Sequence, residues 1–129
     1  MRIIRWVIKR KRRRKRAKSG KANYIKYKEA ARILAKRKVA QYNQRYGFLV
    51  NRIAIKNSKT RWGSCSKKGN RNFNYKIALL PEALADYIIV HELCHLGEFN
   101  HSKKFWALVA RVIPHYKVIK KKFRHIRLV

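Results

Sequence analysis

At 129 residues the chain has room for one domain with a modest core, and 47% hydrophobic residues, among them three Trp, seven Tyr and five Phe, exclude disorder through its body. Charge is the extreme feature: 36 Lys+Arg against 5 Asp+Glu give a formal +31, a field that draws polyanions, nucleic acid first and anionic membrane surface second. Two cysteines, Cys65 and Cys94, exclude a disulfide framework, and no run approaches the ~20 apolar residues of a membrane span.

Residues 1–8 read as a short strand anchored by Ile3, Trp6 and Ile8. The basic block follows these apolar residues, the reverse of a secretory signal, so a cytoplasmic protein is expected, with nucleic-acid association possible through the basic surface. Lys9 to Lys18 carries nine cations in ten residues. Self-repulsion predicts a solvated arm or extended turn that orders on a polyanion, with Lys9, Arg10, Lys11, Arg12, Arg13, Arg14, Lys15 and Arg16 as candidate nucleic-acid contacts. The chain therefore divides into residues 1–21, a short strand and basic arm, and residues 22–129, the folded domain.

From about Ala22 to Tyr46 the spacing predicts a helix, with Tyr24, Tyr27, Ala31, Leu34, Ala35, Tyr42 and Tyr46 on one face and Gly47 ending it. Arg32, Lys36 and Arg37 lie on the opposite face. Phe48–Lys56 reads as a strand, Asn57-Ser58 as a turn, and Lys59–Ser66 as a second strand. Lys67-Lys68-Gly69-Asn70 reads as a hairpin turn, after which Phe73, Tyr75, Ile77 and Leu79 alternate through a third strand. Three antiparallel strands are expected. Pro81 and Glu82 suit the first turn of the next helix. That helix is apolar almost all round, through Leu84, Tyr87, Ile88, Ile89, Val90, Leu93 and Leu96, and should be buried. Ser102 caps a helix running to Ile113, with Phe105, Trp106, Val109 and Val112 inward. Pro114 breaks it, and residues 115–129 form a last basic helix.

The buried helix carries the chemistry. His91-Glu92-Leu93-Cys94-His95 places two imidazoles one turn apart on a common face, where both can bind one Zn2+ at roughly 2.0–2.1 Å. Glu92 lies off that axis, so its carboxylate can act on a water without ligating the metal, as a general base must. Gly97 can end the helix and let His101 swing back as a third ligand, leaving a fourth position open as catalytic zinc sites do. Cys94 points away from the histidine face. Core histidines beside an incidental Glu are the bland alternative, and that would bury two imidazoles among aliphatics with no function.

Arg61-Trp62-Gly63-Ser64-Cys65-Ser66, Leu79-Leu80-Pro81, Asp86 through Leu96, and Asn100-His101-Ser102-x-x-Phe105-Trp106 together closely resemble the YgjP-like metallopeptidases, zincins related to the SprT-like and minigluzincin groups. The resemblance spans roughly residues 22–120, with four motifs in order at fitting spacing. It implies an α+β, zincin-like minimal catalytic domain: a backing helix and small three-stranded twisted antiparallel sheet on an active-site helix, then two C-terminal helices. It also implies one zinc ion on His91, His95 and His101, Glu92 as base, and a protein or peptide substrate. Members usually carry a longer β-rich N-terminal part than the stub and basic arm seen here. A metzincin is excluded by its glycine, which would fall at Glu98, whereas this chain has Gly97. Arg61, Trp62, Ser64, His115 and Tyr116 are candidates for stabilising the oxyanion or contacting substrate. The expected activity is that of a zinc endopeptidase, with nucleic-acid-bound proteins as the candidate substrates. The alternative is a basic nucleic-acid-binding protein whose zinc site is structural or vestigial.

Overall fold

A computed structural model describes the backbone of residues 10–126 and the side chains from Gly20 onward; the strand expected at residues 1–8, and Lys9, lie outside the described residues. Helix α1, Arg10–Tyr46, is 37 residues long and spans about 55 Å at the α-helical rise. It begins at Arg10 and not near Ala22, so the basic block is helical backbone where an arm or extended turn was expected. Lys and Arg are good helix formers, and like-charge pairs one turn apart cost only tenths of a kcal/mol each. Extending an already nucleated helix therefore outweighs self-repulsion.

The helix stops at Gly47, whose φ of +72° closes an αL cap with Gly47 N–H on the Asn43 carbonyl at 2.7 Å. Asn43 reinforces the stop from its side chain, donating Nδ2 to the Phe48 carbonyl and accepting from Phe48 N–H. The predicted tyrosine face of α1 is the packed one. Lys38 and Val39 join it, both buried.

The sheet departs from expectation. Strands β1 (Arg52–Lys56), β2 (Gly63–Cys65) and β3 (Asn70–Asn74) are ordered β1-β3-β2, with β3 central, parallel to β1 and antiparallel to β2. The sheet is mixed, not wholly antiparallel as predicted. Residues 57–62 carry the chain past the position beside β1, which β3 then fills. The β2–β3 turn matches its sequence signature: Gly69 has φ +88°, and Ser66 N–H donates to the Asn70 carbonyl at 3.0 Å.

The third strand also ends early. Tyr75–Leu79 is a 3-10 turn, because the Asn74 side chain accepts from Lys76 N–H and caps it. Buried Asn74 also donates Nδ2 to the carbonyls of Ser58 at 2.7 Å and Arg61 at 3.1 Å, pinning the loop that enters β2. Tyr75 and Ile77 are buried as alternation predicted, while Leu79 is 52% exposed, which a continued strand would not allow.

Helix α2, Glu82–Cys94, is buried from Leu84 to Cys94 except at Asp86. Its N-terminal half is tied to α1 by a charged cluster: Lys38 Nζ lies 2.6 Å from Glu82 Oε1 and 3.2 Å from Asp86 Oδ1, and Tyr42 donates to Asp86 Oδ2 at 2.7 Å. Hydrogen bonding to Glu82 raises the Lys38 pKa against the desolvation that opposes it. The same bond holds the Glu82 carboxyl below its usual value. Helix α3, Lys103–Val112, starts on Ser102, whose Oγ accepts from Phe105 N–H, and α4 is Tyr116–Lys122 followed by a turn at Phe123–His125. The last helix is shorter than residues 115–129 predicted, with Ile119 buried and Val118 57% exposed. The α+β architecture stands, with α2 at the centre of the core. No helix among the described residues is long and apolar enough to cross a membrane.

Candidate metal centre

Three imidazoles converge at the C-terminal end of α2. His91 lies in the last turn, His95 is the residue that ends the helix, and His101 returns after the turn at residues 95–101. The Nε2 atoms form a nearly equilateral triangle: His91–His95 3.3 Å, His95–His101 3.2 Å, His101–His91 3.1 Å. Ligands at 2.0–2.1 Å from one ion with tetrahedral angles are separated by about 3.3–3.4 Å. The triangle matches that separation within about 0.2 Å, so the donor set fits a tetrahedral cation.

The rings are held from outside. His95 Nδ1–H donates to the Glu98 carbonyl at 3.0 Å, which leaves its Nε2 lone pair facing the centre. Phe105, fully buried, stacks on His95 at 4.3 Å and meets the edges of His91 and His101 at 5.0 and 5.1 Å. Trp106 stacks on His101 at 6.0 Å. Both aromatics come from the first turns of α3, which Ser102 starts, so the cap after His101 fixes where the Phe105 and Trp106 rings, three and four residues on, meet the imidazoles. Burial lowers all three histidine pKa values, and for His91 the neighbouring His95 and His101 lower it further. Each shift favours the neutral imidazole, whose lone pair can ligate a cation. Gly97 does not adopt a left-handed conformation and is not the helix cap expected of it. It is needed for space, because a Cβ there would lie 2.8 Å from Phe48 Cζ and 2.9 Å from Leu108 Cδ1.

Glu92 is 3% exposed and leaves the helix toward β2. It lies flat over Gly63, where a Cβ would come within 2.8 Å of Glu92 Cγ. The glycine of the Arg-Trp-Gly-Ser-Cys segment is thus the floor under this carboxylate. Burial pushes the Glu92 pKa up to about 7, opposed by the Arg71 cation and by a hydrogen bond from Cys65. Cys65, Glu92 and His95 form a second cluster with metal-ligating atoms, sharing His95 with the triangle. Cys94 faces the other way, buried beside Tyr46.

The remaining predicted residues divide. Trp62 is buried and packs on Phe123 at 5.8 Å, lining a cavity of about 510 Å3 that reaches His91 and His101. Ser64 accepts from Asn72 Nδ2 at 3.1 Å, a cross-strand bond inside the sheet. Arg61 is exposed, close enough to Glu92 to influence its charge. Tyr116 stacks on Trp106 at 4.9 Å and so reaches the histidines only through that ring, while exposed His115 starts α4 and joins neither cluster. Arg10 to Arg16 form the first turns of α1, and Lys9 lies outside the described residues.

Arg71 escaped sequence reasoning. It is 1% exposed on central strand β3, with Nη1 on the carbonyls of Ser66 and Asn70, while Nε and Nη2 have no hydrogen-bond partner among the described residues. Its parity with Phe73 on β3 was the available signal: residues two apart share a face, so Arg71 had to point into the core.

A family model described as "YgjP-like, metallopeptidase domain" matches residues 2–126, nearly the whole chain and the N-terminal stub as well. The chain belongs to the YgjP-like metallopeptidase family. Its fold is similar to the crystal structure of the metallopeptidase zymogen abylysin from Pyrococcus abyssi, with TM-score 0.63 and 25% identity over 69% of this chain and 90% of that one. It is also similar to the metallopeptidase zymogen jannalysin from Methanocaldococcus jannaschii, with TM-score 0.60 and 26% identity over 70% of this chain and 94% of that one. No curated protein matches. The family implies a metal cofactor, and His91, His95 and His101 are a group that could hold it.

Proposed function

We propose that this YgjP-like metallopeptidase hydrolyses peptide bonds with one zinc ion held by His91, His95 and His101 and with Glu92 as general base. The observation that carries the reading is the 3.1–3.3 Å triangle of Nε2 atoms beside a buried carboxylate one residue along the same helix. Zinc, when bound, supplies a Lewis acid that polarises a carbonyl and acidifies a water.

The chain's own residues do the rest. Glu92, seated on Gly63, accepts a proton as the water oxygen bonds to the peptide carbonyl carbon. It then returns that proton to the amine nitrogen as the C–N bond breaks. Phe105 and Trp106 hold the imidazoles in register through the cycle, and the Glu98 carbonyl holds the His95 tautomer. A structural or vestigial zinc site is disfavoured, because a purely structural centre does not require an acid side chain buried over a strand glycine. The +31 charge supports a further element of the reading, that protein substrates are met on nucleic acid.

Metal content and turnover of a generic protein substrate test the assignment directly. Glu92→Gln should retain one zinc per chain and lose hydrolysis; a variant that keeps its activity refutes the role of Glu92, and a chain that binds no stoichiometric metal refutes the centre. Nucleic-acid binding without a steep salt dependence would count against phosphate contacts.

A further inference from the structure

The cavity beside the histidines has a composition that bears on what it admits. It is walled by Trp62 from the segment before β2, Tyr87 from α2 and Trp106 from α3, and closed by Lys120, Phe123 and Arg124 from the C-terminal segment. His91 and His101 form its inner end, so a group inside it lies next to the candidate metal centre. The aromatic walls are braced: Phe123 contacts Trp62 at 5.8 Å and Tyr87 at 5.5 Å, and Trp106 stacks on Tyr116 at 4.9 Å.

The charged residues in the wall are cations. Lys120 Nζ lies over the Trp106 ring, 4.4 Å from its centre, and neither Lys120 nor Arg124 makes an ion pair among the described residues. Acidic partners are scarce. The chain has five acidic residues, Glu29, Glu82, Asp86, Glu92 and Glu98, and the first three pair with Arg32 and Lys38, neither of which lines the cavity. None of the five lines the cavity.

We propose, resting on the peptidase reading above, that this cavity is a substrate subsite selecting a carboxylate next to the scissile bond. An apolar stem packs between Trp62, Tyr87 and Trp106, and the anionic head meets Lys120 and Arg124. The carboxylate comes either from a Glu or Asp side chain or from the free C-terminus of the peptide. About 510 Å3 accommodates one side chain with its flanking backbone, not a folded segment. Arg124 supplies a planar fork suited to a carboxylate, and Lys120 a mobile point charge.

The test uses the full-length zinc-loaded chain and matched peptides carrying Glu, Gln or Lys at each position around one cleavage site, with free or amidated C-termini. Wild type should cleave the Glu peptide about tenfold faster in kcat/KM than its Gln isostere, as expected for a charge-assisted contact. A Glu:Gln preference that survives amidation assigns the side-chain carboxylate, whereas equal turnover of Glu and Gln peptides that falls about tenfold for both on amidation assigns the terminal carboxylate. Lys120→Glu with Arg124→Glu should reverse the order toward the Lys peptide. Lys21→Glu with Lys36→Glu removes equal charge from exposed positions of α1 and should leave the Glu:Gln ratio unchanged. Binding provides a second readout: the Glu peptide should quench tryptophan fluorescence of Glu92→Gln at lower concentration than the Gln peptide, and the Lys120/Arg124 variant should erase the difference. Equal turnover of Glu and Gln peptides by wild type, with no loss on amidation, overturns the subsite and leaves the peptidase reading intact. Peptide binding with the stated preference but no hydrolysis overturns the peptidase reading and upholds the cavity's selectivity. A ratio shifted equally by both double variants refers the preference to the general field of the protein and overturns the subsite.

Discussion

Replacing Gly63 with alanine isolates the contact on which the proposed base depends. The new methyl carbon would sit 2.8 Å from Glu92 Cγ, 3.1 Å from Glu92 Cδ and 3.1 Å from the Asn72 carbonyl oxygen. Ordinary carbon–carbon contact lies near 3.5–4.0 Å, so something must yield by roughly 0.7–1.2 Å. The Asn72 side cannot yield easily, since Ser64 and Asn72 are paired in the β2–β3 ladder and bonded through their side chains. The Glu92 side chain is the softer partner and moves. Overpacking of this kind costs about 1–3 kcal/mol, and misplacing a reacting group by about 1 Å costs on the order of 100-fold in rate. Urea denaturation, zinc stoichiometry and kcat/KM on a protein substrate read the three effects separately. The expected Gly63→Ala protein is folded, holds one zinc through histidines that do not touch Gly63, and is about 100-fold slower. Activity within about threefold of wild type would refute the argument that the glycine seats Glu92, and loss of the metal would refute the separation between base and ligands.

Three further outcomes follow from the same geometry. His101→Ala removes the proposed ligand that comes from beyond α2 and its cap residue His95, and should weaken zinc binding at least tenfold in a chelator competition while the helical far-UV spectrum is retained, because His101 is exposed and its loss opens no core cavity. Lys38→Met strands Asp86, whose side chain is 14% exposed, and should cost about 2–4 kcal/mol in urea denaturation, with Tyr42→Phe costing less. For pH, the folded Glu82 pKa lies below its unfolded value, so its stabilising contribution is complete above the unfolded value near 4.5 and is lost as pH falls through the lower folded value. The Lys38 shift has the opposite sign: its contribution is complete below its unfolded value near 10.5 and is lost as pH rises through the higher folded value. Urea midpoints of wild type and Glu82→Gln should therefore converge between about pH 5 and pH 2, and parallel lines across that range would refute the pairing.

Periodicity and spacing determined much of this protein, because they report what is local. The four-residue interval between His91 and His95 dictates a shared helix face, and the apolar residues around them dictate burial. Gly47, Ser102 and Gly69 marked an end, a start and a turn through backbone chemistry that acts over a few residues. Tertiary structure alone decided which strands became neighbours. The alternation in β1 and β3 says nothing about direction, and β3 came to lie between β1 and β2. It also decided where the third strand stopped, since the Asn74 cap and its bonds to Ser58 and Arg61 join segments 13 and 16 residues apart. The Lys9–Lys18 block shows the limit in the other direction, because repulsion within a run does not reveal that a nucleated helix follows it. Gly63 under Glu92, Glu98 behind His95, and Lys120 with Arg124 around the aromatic cavity each pair residues that no pattern within one segment connects. His91, Glu92, His95 and His101 were legible as chemistry; the floor, the braces and the cationic rim around them exist only once β2, α3 and the C-terminal segment pack against α2.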